Sequence, residues 1–277
     1  MYQPVIQTSQ IGYHPTQDKE AVIEMDIRDN RKETAQIIRI DADGEKVVKN
    51  VTPANWGKFL RYNYLKVNFT DVKEPGLYKI KYNTSVSPIF RIDNDVYARG
   101  VWQPVLEYFL PVQMCHMRVN EKYRVWHDCC HMDDAQMAPA HNHIDGYDQK
   151  EGLSKFKPGE VVPGVNIGGW HDAGDFDLRI ESQAGESYIL ALAYEAFHPN
   201  LDVTSIDQIN RVTEIHQPDG KNDLLQQVEN GALTVVNGYL ALGRLYRGII
   251  CNDLRQYVLL GLSLIHISEP TRRSYIS

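Results

Sequence analysis

GGWHDAGDFD, residues 168–177, crowds three carboxylates into six positions, behind two glycines and a Trp-His pair. The stretch also marks a change of pattern. Upstream the chain reads as short strands, a first helical stretch and then a long polar loop, and downstream it reads as helices. The carboxylates either solvate a turn or act together, and the sequence on both sides has to decide between these.

Upstream, residues 5 to about 92 carry runs of period two: AVIEMDI (21–27), AQIIRI (35–40), EKVVKNV (45–51), YLKVNFT (64–70), GLYKIKY (76–82) and SPIFRI (87–92). DADG (41–44) and EPG (74–76) supply turn residues between them. Short strands at this spacing predict a β-sandwich of immunoglobulin size, with an open barrel as the alternative. No His, Cys or carboxylate cluster of catalytic kind lies in this half.

From about residue 95 the period changes. DVYARGVWQPVLEYFLPVQM (95–114) is apolar at helical spacing, with Pro104 and Pro111 required at a turn or an end. Residues 115–170 are loop-like, rich in His, Asp, Gly and Pro. ESQAGESYILALAYEAF (181–197) predicts a helix, and NDLLQQVENGALTVVNGYLALGRLYRG (222–248) a second, with Asn222 or Asp223 as its N-cap. IICNDLRQYVLLG (249–261) reads as the start of a third. The second half is therefore expected to be all-α, entered through a long loop. SLIHISEPTRRSYIS (263–277) continues neither pattern and reads as residual adapter sequence translated in frame.

Composition narrows the function classes. The 277 residues suit one large domain or two ordinary ones, and 43% hydrophobic with 23% charged residues is ordinary for a globular chain. A net charge of -7 and a pI near 5.8 argue against a nucleic-acid partner, which needs a basic face. No apolar run approaches the roughly 20 residues of a membrane helix. MYQPVIQTSQ shows neither a basic nor an apolar leader segment. The 16 tyrosines suit both sandwich cores and sugar faces. Four cysteines, at 115, 129, 130 and 251, are few for a disulfide scaffold.

Asp172 and Asp175 stand at i and i+3 across Ala-Gly, where they can cap a following helix or face one side of a tight turn. Two such carboxylates can grip one water, one taking its proton while the other orients it. Ionised carboxylates also stabilise a sugar carbon that becomes positive in the transition state. An inverting glycosidase needs this base and water on one face and a protonated acid on the other. Trp170 is then either a platform for a sugar ring or a core residue. Separately, MCHMR (114–118) and HDCCHMDDA (127–135) bring thiols and imidazoles together. They are either soft ligands for Zn²⁺ or buried free Cys with surface His, since the spacing is no paired CxxC.

GGWHDAGDFD resembles the signature of glycoside hydrolase family 9, the inverting cellulases. QTSQIGYHPTQDKEAVI (7–23) is similar to the opening strand of that family's immunoglobulin-like N-terminal domain. VYARGVWQPVLEYFLPVQMC resembles its first barrel helix, and KNDLLQQVENGALTVV (221–236) its acidic helix after the signature. The resemblance covers residues 7 to about 261. It implies a multidomain β plus α chain: an immunoglobulin-like β-sandwich over residues 1–93, then an incomplete (α/α)6 barrel over residues 94–262, with 263–277 a foreign tail.

It further implies Asp175 as general base, Asp172 holding the nucleophilic water, and a β-1,4-glucan such as cellulose as substrate. The general-acid Glu of the family pattern has no match here, and Glu181, Glu186 and Glu195 are poor stand-ins, so the chain alone is expected not to hydrolyse glycan at a useful rate. Members of the family with the N-terminal sandwich often carry a structural zinc bound by two Cys and two His. The match puts ligands at Cys115, Cys130 and His131, with His171 chosen as the fourth and His116, His141 and His143 as rivals. Cys129 is surplus to that pattern. Calcium is known in the family, but no stretch here is assigned to it. Secretion or a periplasmic location is implied by the family. The alternatives are a carbohydrate- or partner-binding module without catalysis, and a family 9 enzyme acting on xyloglucan, mixed-linkage glucan or oligosaccharides. In the last case NHIDGYDQ (142–149) shapes specificity, unless it is an Asx-rich surface loop.

Overall fold

The computed structural model describes residues 2–144, 147–150, 152–172, 177–252, 255–259 and 262–263. The chain divides into two compact units, Met1–Gln103 and Pro104–Ser277. The last sandwich strand ends at Ile92, as the sequence implied, but turns over residues 93–102 belong with the first unit, so the break comes at Pro104 rather than after residue 93.

The first unit is two antiparallel sheets. One takes β1 (Val5–Gln7), β2 (Glu20–Asp26), β5 (Ala54–Phe59) and β6 (Tyr62–Asn68) in the order β1-β2-β6-β5. The other takes β3 (Ala35–Asp41), β4 (Gly44–Val51), β7 (Gly76–Tyr82) and β8 (Ser85–Val86) in the order β4-β3-β7-β8, with β9 (Phe90–Ile92) also on β7. Alternation sends Ala21, Ile23, Met25, Leu65 and Val67 of one sheet, and Ala35, Ile37, Tyr78, Ile80 and Tyr82 of the other, into a single core. Buried tyrosines keep their hydroxyls bonded: Tyr13 donates to Glu20 O at 2.9 Å and Tyr78 to Glu74 O at 2.7 Å. This accounts for part of the tyrosine excess without any sugar.

The second unit is mixed. A π-helical turn at Val105–Phe109 leads into α1 (Leu110–Gln113). Pro111 has no N–H to give to residue 107, and Leu110 N–H reaches back to Val105 O, so the ladder slips by one residue beside the proline. The long helix expected over 95–114 is thus confined to this short segment, because residues 93–102 are turns around Gly100. Strands β10 (Arg118–Glu121), β11 (Arg124–His127), β12 (His141–Ile144), β13 (Tyr147–Gln149) and β14 (Leu178–Arg179) follow. Helix α2 (Ile180–Phe197) matches the expectation, and after β15 (Thr204–Asp207) and β16 (Val212–Ile215) comes α3 (Asp223–Leu242). The Asn222 side chain caps α3 by accepting from Leu224 and Leu225 N–H, and Gly243 ends it in the left-handed conformation.

Two expectations fail here. The second half is not all-α, since β10, β11, β15 and β16 form one sheet in the order β11-β10-β16-β15. And residues 249–261 are no third helix: β17 (Gly248–Asn252) and β18 (Arg255–Leu259) form an antiparallel pair, with β17 also on β14, before β19 (Leu262–Ser263) joins β13. Short apolar runs satisfy either period, and Ile249-Ile250 opposite Tyr257-Val258 are the β-branched and aromatic residues a strand prefers. Gly248 sits at φ 135°, and a Cβ there would meet Leu178 O at 2.2 Å, so only glycine admits this register. No helix among the described residues is long and apolar enough to cross a membrane.

Candidate active site and metal centre

Two backbone hydrogen bonds, which make one antiparallel bridge, zip the signature to the end of α1. His171 N–H donates to Gln113 O at 2.8 Å, Cys115 N–H to Gly169 O at 2.9 Å, and Met114 and Trp170 face each other as an antiparallel bridge. Residues 169–171 therefore run beside 113–115. On the other side Gly169 N–H donates to Asn230 O of α3 at 2.9 Å. Gly168 presses so close that a Cβ would lie 2.3 Å from that same carbonyl, and its φ of 73° also favours glycine. The two glycines serve backbone contact with α3.

Trp170 is a core residue, which corrects its expected role as a sugar platform. It is 2% exposed, its indole N–H donates to Gln227 Oε1 at 2.8 Å, and Gln183 brackets its backbone, accepting from Trp170 N–H at 2.9 Å and donating to Trp170 O at 3.1 Å. Alternation along the seam turns its ring inward, so no face is left for a ligand.

The same alternation brings the expected ligands together. One donor atom each from Cys115, Cys130, His131 and His171 lies within 4.8 Å of every other. Cys115 Sγ is 3.7 Å from Cys130 Sγ and 3.3 Å from His131 Nδ1, and Cys130 Sγ is 3.4 Å from His171 Nε2. A tetrahedral zinc with bonds of about 2.3 Å to sulfur and about 2.05 Å to nitrogen requires edges of about 3.8 Å between sulfurs and about 3.5 Å from sulfur to nitrogen. The four side chains fit that group. Cys115, together with His127, His131 and His171, hydrogen-bonds the Cys130 sulfur and holds its thiol far below the ordinary range, whereas burial pushes the Cys115 thiol up.

Rival ligands are otherwise engaged or lie outside the description. His116 is fully buried, with Nδ1 donating to Gly168 O at 3.0 Å and Nε2 2.9 Å from Asp134 Oδ2. It ties the α1 end, the Cys130 loop and the signature together. Nothing in the spacing of His116 and Asp134 announced this pair. The side chains of His141 and His143 lie outside the described residues, as do all those of the specificity stretch 142–149 except Gln149. Cys129 turns to Arg211 O, 3.7 Å away, and takes no part in the cluster. Apart from the four-residue set and the overlapping group of Cys115, His116 and Asp134, the described residues offer no cluster suited to a metal, calcium included.

Asp172 follows His171 directly and is exposed. Its N–H donates to Asp177 O at 2.9 Å. Its carboxylate lies 3.4 Å from Arg179 Nε, while Arg179 Nη2 lies 3.0 Å from the buried Asp177 Oδ2. Arg179, which the sequence reading passed over, thus joins the two acids flanking the loop. Asp175 itself lies outside the described residues. Burial raises the carboxyl of Glu186 on α2, and the charge of Asp172 raises it further.

Residues 1–87 match the family model of the cellulase N-terminal Ig-like domain, and the first unit has the two-sheet sandwich fold that this match implies. No curated protein matches the chain. Among solved structures, a metagenome-derived glycoside hydrolase family 9 endoglucanase is 23% identical with a TM-score of 0.64, covering 92% of this chain and 46% of its own. A Zn-binding triple mutant of the family 9 endoglucanase J30 is 21% identical with a TM-score of 0.65, covering 89% and 44%. A GH9 protein of Bacteroides ovatus is 19% identical with a TM-score of 0.64, covering 93% and 45%. The chain thus shares their fold and spans under half their length.

Proposed function

We propose that this chain is the base-bearing portion of an inverting glycoside hydrolase for β-1,4-glucans, with an immunoglobulin-like domain ahead of an incomplete (α/α)6 barrel. One observation carries the reading: the seam of 169–171 along 113–115 turns His171 into the Cys-His cluster and presents Asp172 to solvent one residue later. Adjacent residues with opposite aims fit a loop that is anchored from behind and works in front.

In this reading Asp175 takes the proton of the attacking water and Asp172 orients that water. The Arg179 guanidinium, 3.4 Å from the Asp172 carboxylate, restricts its rotamers. Zinc held by Cys115, Cys130, His131 and His171 supplies a structural cross-link and no chemistry. A base displaced by an ångström loses rate steeply, so that cross-link has a catalytic consequence. The general-acid glutamate has no counterpart assigned here, and hydrolysis by the chain alone is not expected. Export to an oxidising compartment or the periplasm fits a glucan substrate.

The test is release of reducing ends from carboxymethylcellulose, mixed-linkage glucan and cello-oligosaccharides. It compares the 277-residue chain with the product of an uninterrupted reading frame that contains it. The reading expects none from the first. From the second it expects activity that Asp175→Asn lowers by about a thousandfold or more. Clear hydrolysis by the chain alone, or full activity in Asp175→Asn, overturns it.

A further inference from the structure

The cluster has a feature that four-point metal binding does not need: its two sulfurs are neighbours with unequal access. Cys115 is fully buried at the end of α1, and Cys130 is partly exposed on the loop after β11, their sulfurs 3.7 Å apart. The two imidazoles are reached across other edges, so the path between the sulfurs is clear. The surplus thiol, Cys129, faces Arg211 O instead. Adjacent cysteines such as 129 and 130 can bond each other only through a small strained ring, so Cys115 is the resolving partner that Cys130 finds in place.

We propose that Cys115 and Cys130 form a peroxide-sensitive pair whose oxidation to a disulfide ejects the metal and frees His171, loosening the loop that carries Asp172. The proposal rests on the metal reading above. Cys130 sulfur attacks one oxygen of hydrogen peroxide, the O–O bond breaks, and the departing hydroxide leaves as water after taking a proton, giving a sulfenic acid. Cys115 sulfur then attacks that sulfur, the S–S bond forms, and the S–OH oxygen leaves as a second water. Two thiols are oxidised and one peroxide is reduced. A disulfide offers no thiolate to zinc, and two imidazoles alone bind it far more weakly. The device couples an oxidant to the anchoring of His171 and leaves the exposed carboxylate of Asp172 untouched.

The experiment uses the whole chain, loaded with zinc and freed of excess. Metal content is measured first, then hydrogen peroxide is added. Zinc is followed with a chromogenic chelator, and cross-links are mapped by digestion and mass spectrometry without reduction. The expected result is loss of the bound zinc in step with a Cys115–Cys130 peptide pair lighter by two hydrogens. A thiol reductant with added zinc should reverse it, and Cys129→Ser should behave as the parent. Amide exchange in the 168–172 peptide should rise after oxidation. Three results overturn the proposal: a Cys129–Cys130 pair, over-oxidation of Cys130 without a cross-link, or retention of zinc while Cys129 is consumed. A chain that binds no zinc at the outset refutes the metal reading instead, and the peptide map of that metal-free chain still decides the disulfide.

Discussion

His171 Nε2 lies 3.4 Å from Cys130 Sγ, across 41 residues of sequence, and His171 is the residue before Asp172. The contact makes the position of an exposed carboxylate depend on a thiol in another loop.

Removing the metal should soften the second unit. A structural site worth about 4 kcal/mol would lower Tm by roughly 8–16 °C in a unit of this size. Differential scanning calorimetry with a strong chelator, and with His171→Ala, should show similar losses, and Cys129→Ser should show none. An unmoved Tm on complete chelation counts against a structural metal.

Trp170 should behave as a packing residue. A Cβ added at Gly231 would lie 2.4 Å from its ring, inside α3, so Gly231→Ala should destabilise by about 1–3 kcal/mol. Trp170→Phe strands Gln227 Oε1 and should cost a similar amount. Urea denaturation measures both. Glucan binding that Trp170→Phe abolishes at unchanged stability would restore the platform role.

Asp223 should make stability fall with rising pH. It is 1% exposed and accepts Val203 N–H at 2.9 Å, yet burial pushes its carboxyl up to about 6, against the pull of its backbone donors. The folded state therefore holds the proton more tightly than the unfolded chain, whose value is near 3.9. Its favourable contribution is complete below about pH 4 and lost as pH climbs through 6. Asp223→Asn lacks that titration, so its stability relative to the parent should rise by about 2–3 kcal/mol from pH 4 to pH 7. A pH-independent difference in urea midpoints would show that Asp223 stays ionised.

The sequence was most informative where one period ran long. Alternation in AVIEMDI and GLYKIKY placed the sandwich core, and α2 and the Asn222 cap of α3 fell where helical spacing and capping chemistry put them. It misled where apolar runs were short, as in Ile249-Ile250, because pairing with a distant strand, here β14, settles such cases. The four metal ligands were named from family likeness and stand together in space. Two further contacts, His116 to Asp134 and Arg179 to Asp172, could not be read from spacing, because only the folded chain brings those side chains together. Trp170 was ambiguous because an aromatic beside a signature serves a core or a ligand equally well, and only its Gln183 and Gln227 partners decide.

In the proposed function two thiolates and two imidazoles, bridged by zinc, fasten the Asp172 segment to the end of α1. Zinc-edge X-ray absorption on the purified chain, with metal content measured on the same sample, tests it most directly. The expected result is about one zinc per chain, with two sulfurs at about 2.3 Å and two nitrogens at about 2.0–2.1 Å, one nitrogen lost in His171→Ala. A shell of nitrogen and oxygen alone, or an unchanged spectrum in that variant, would contradict it.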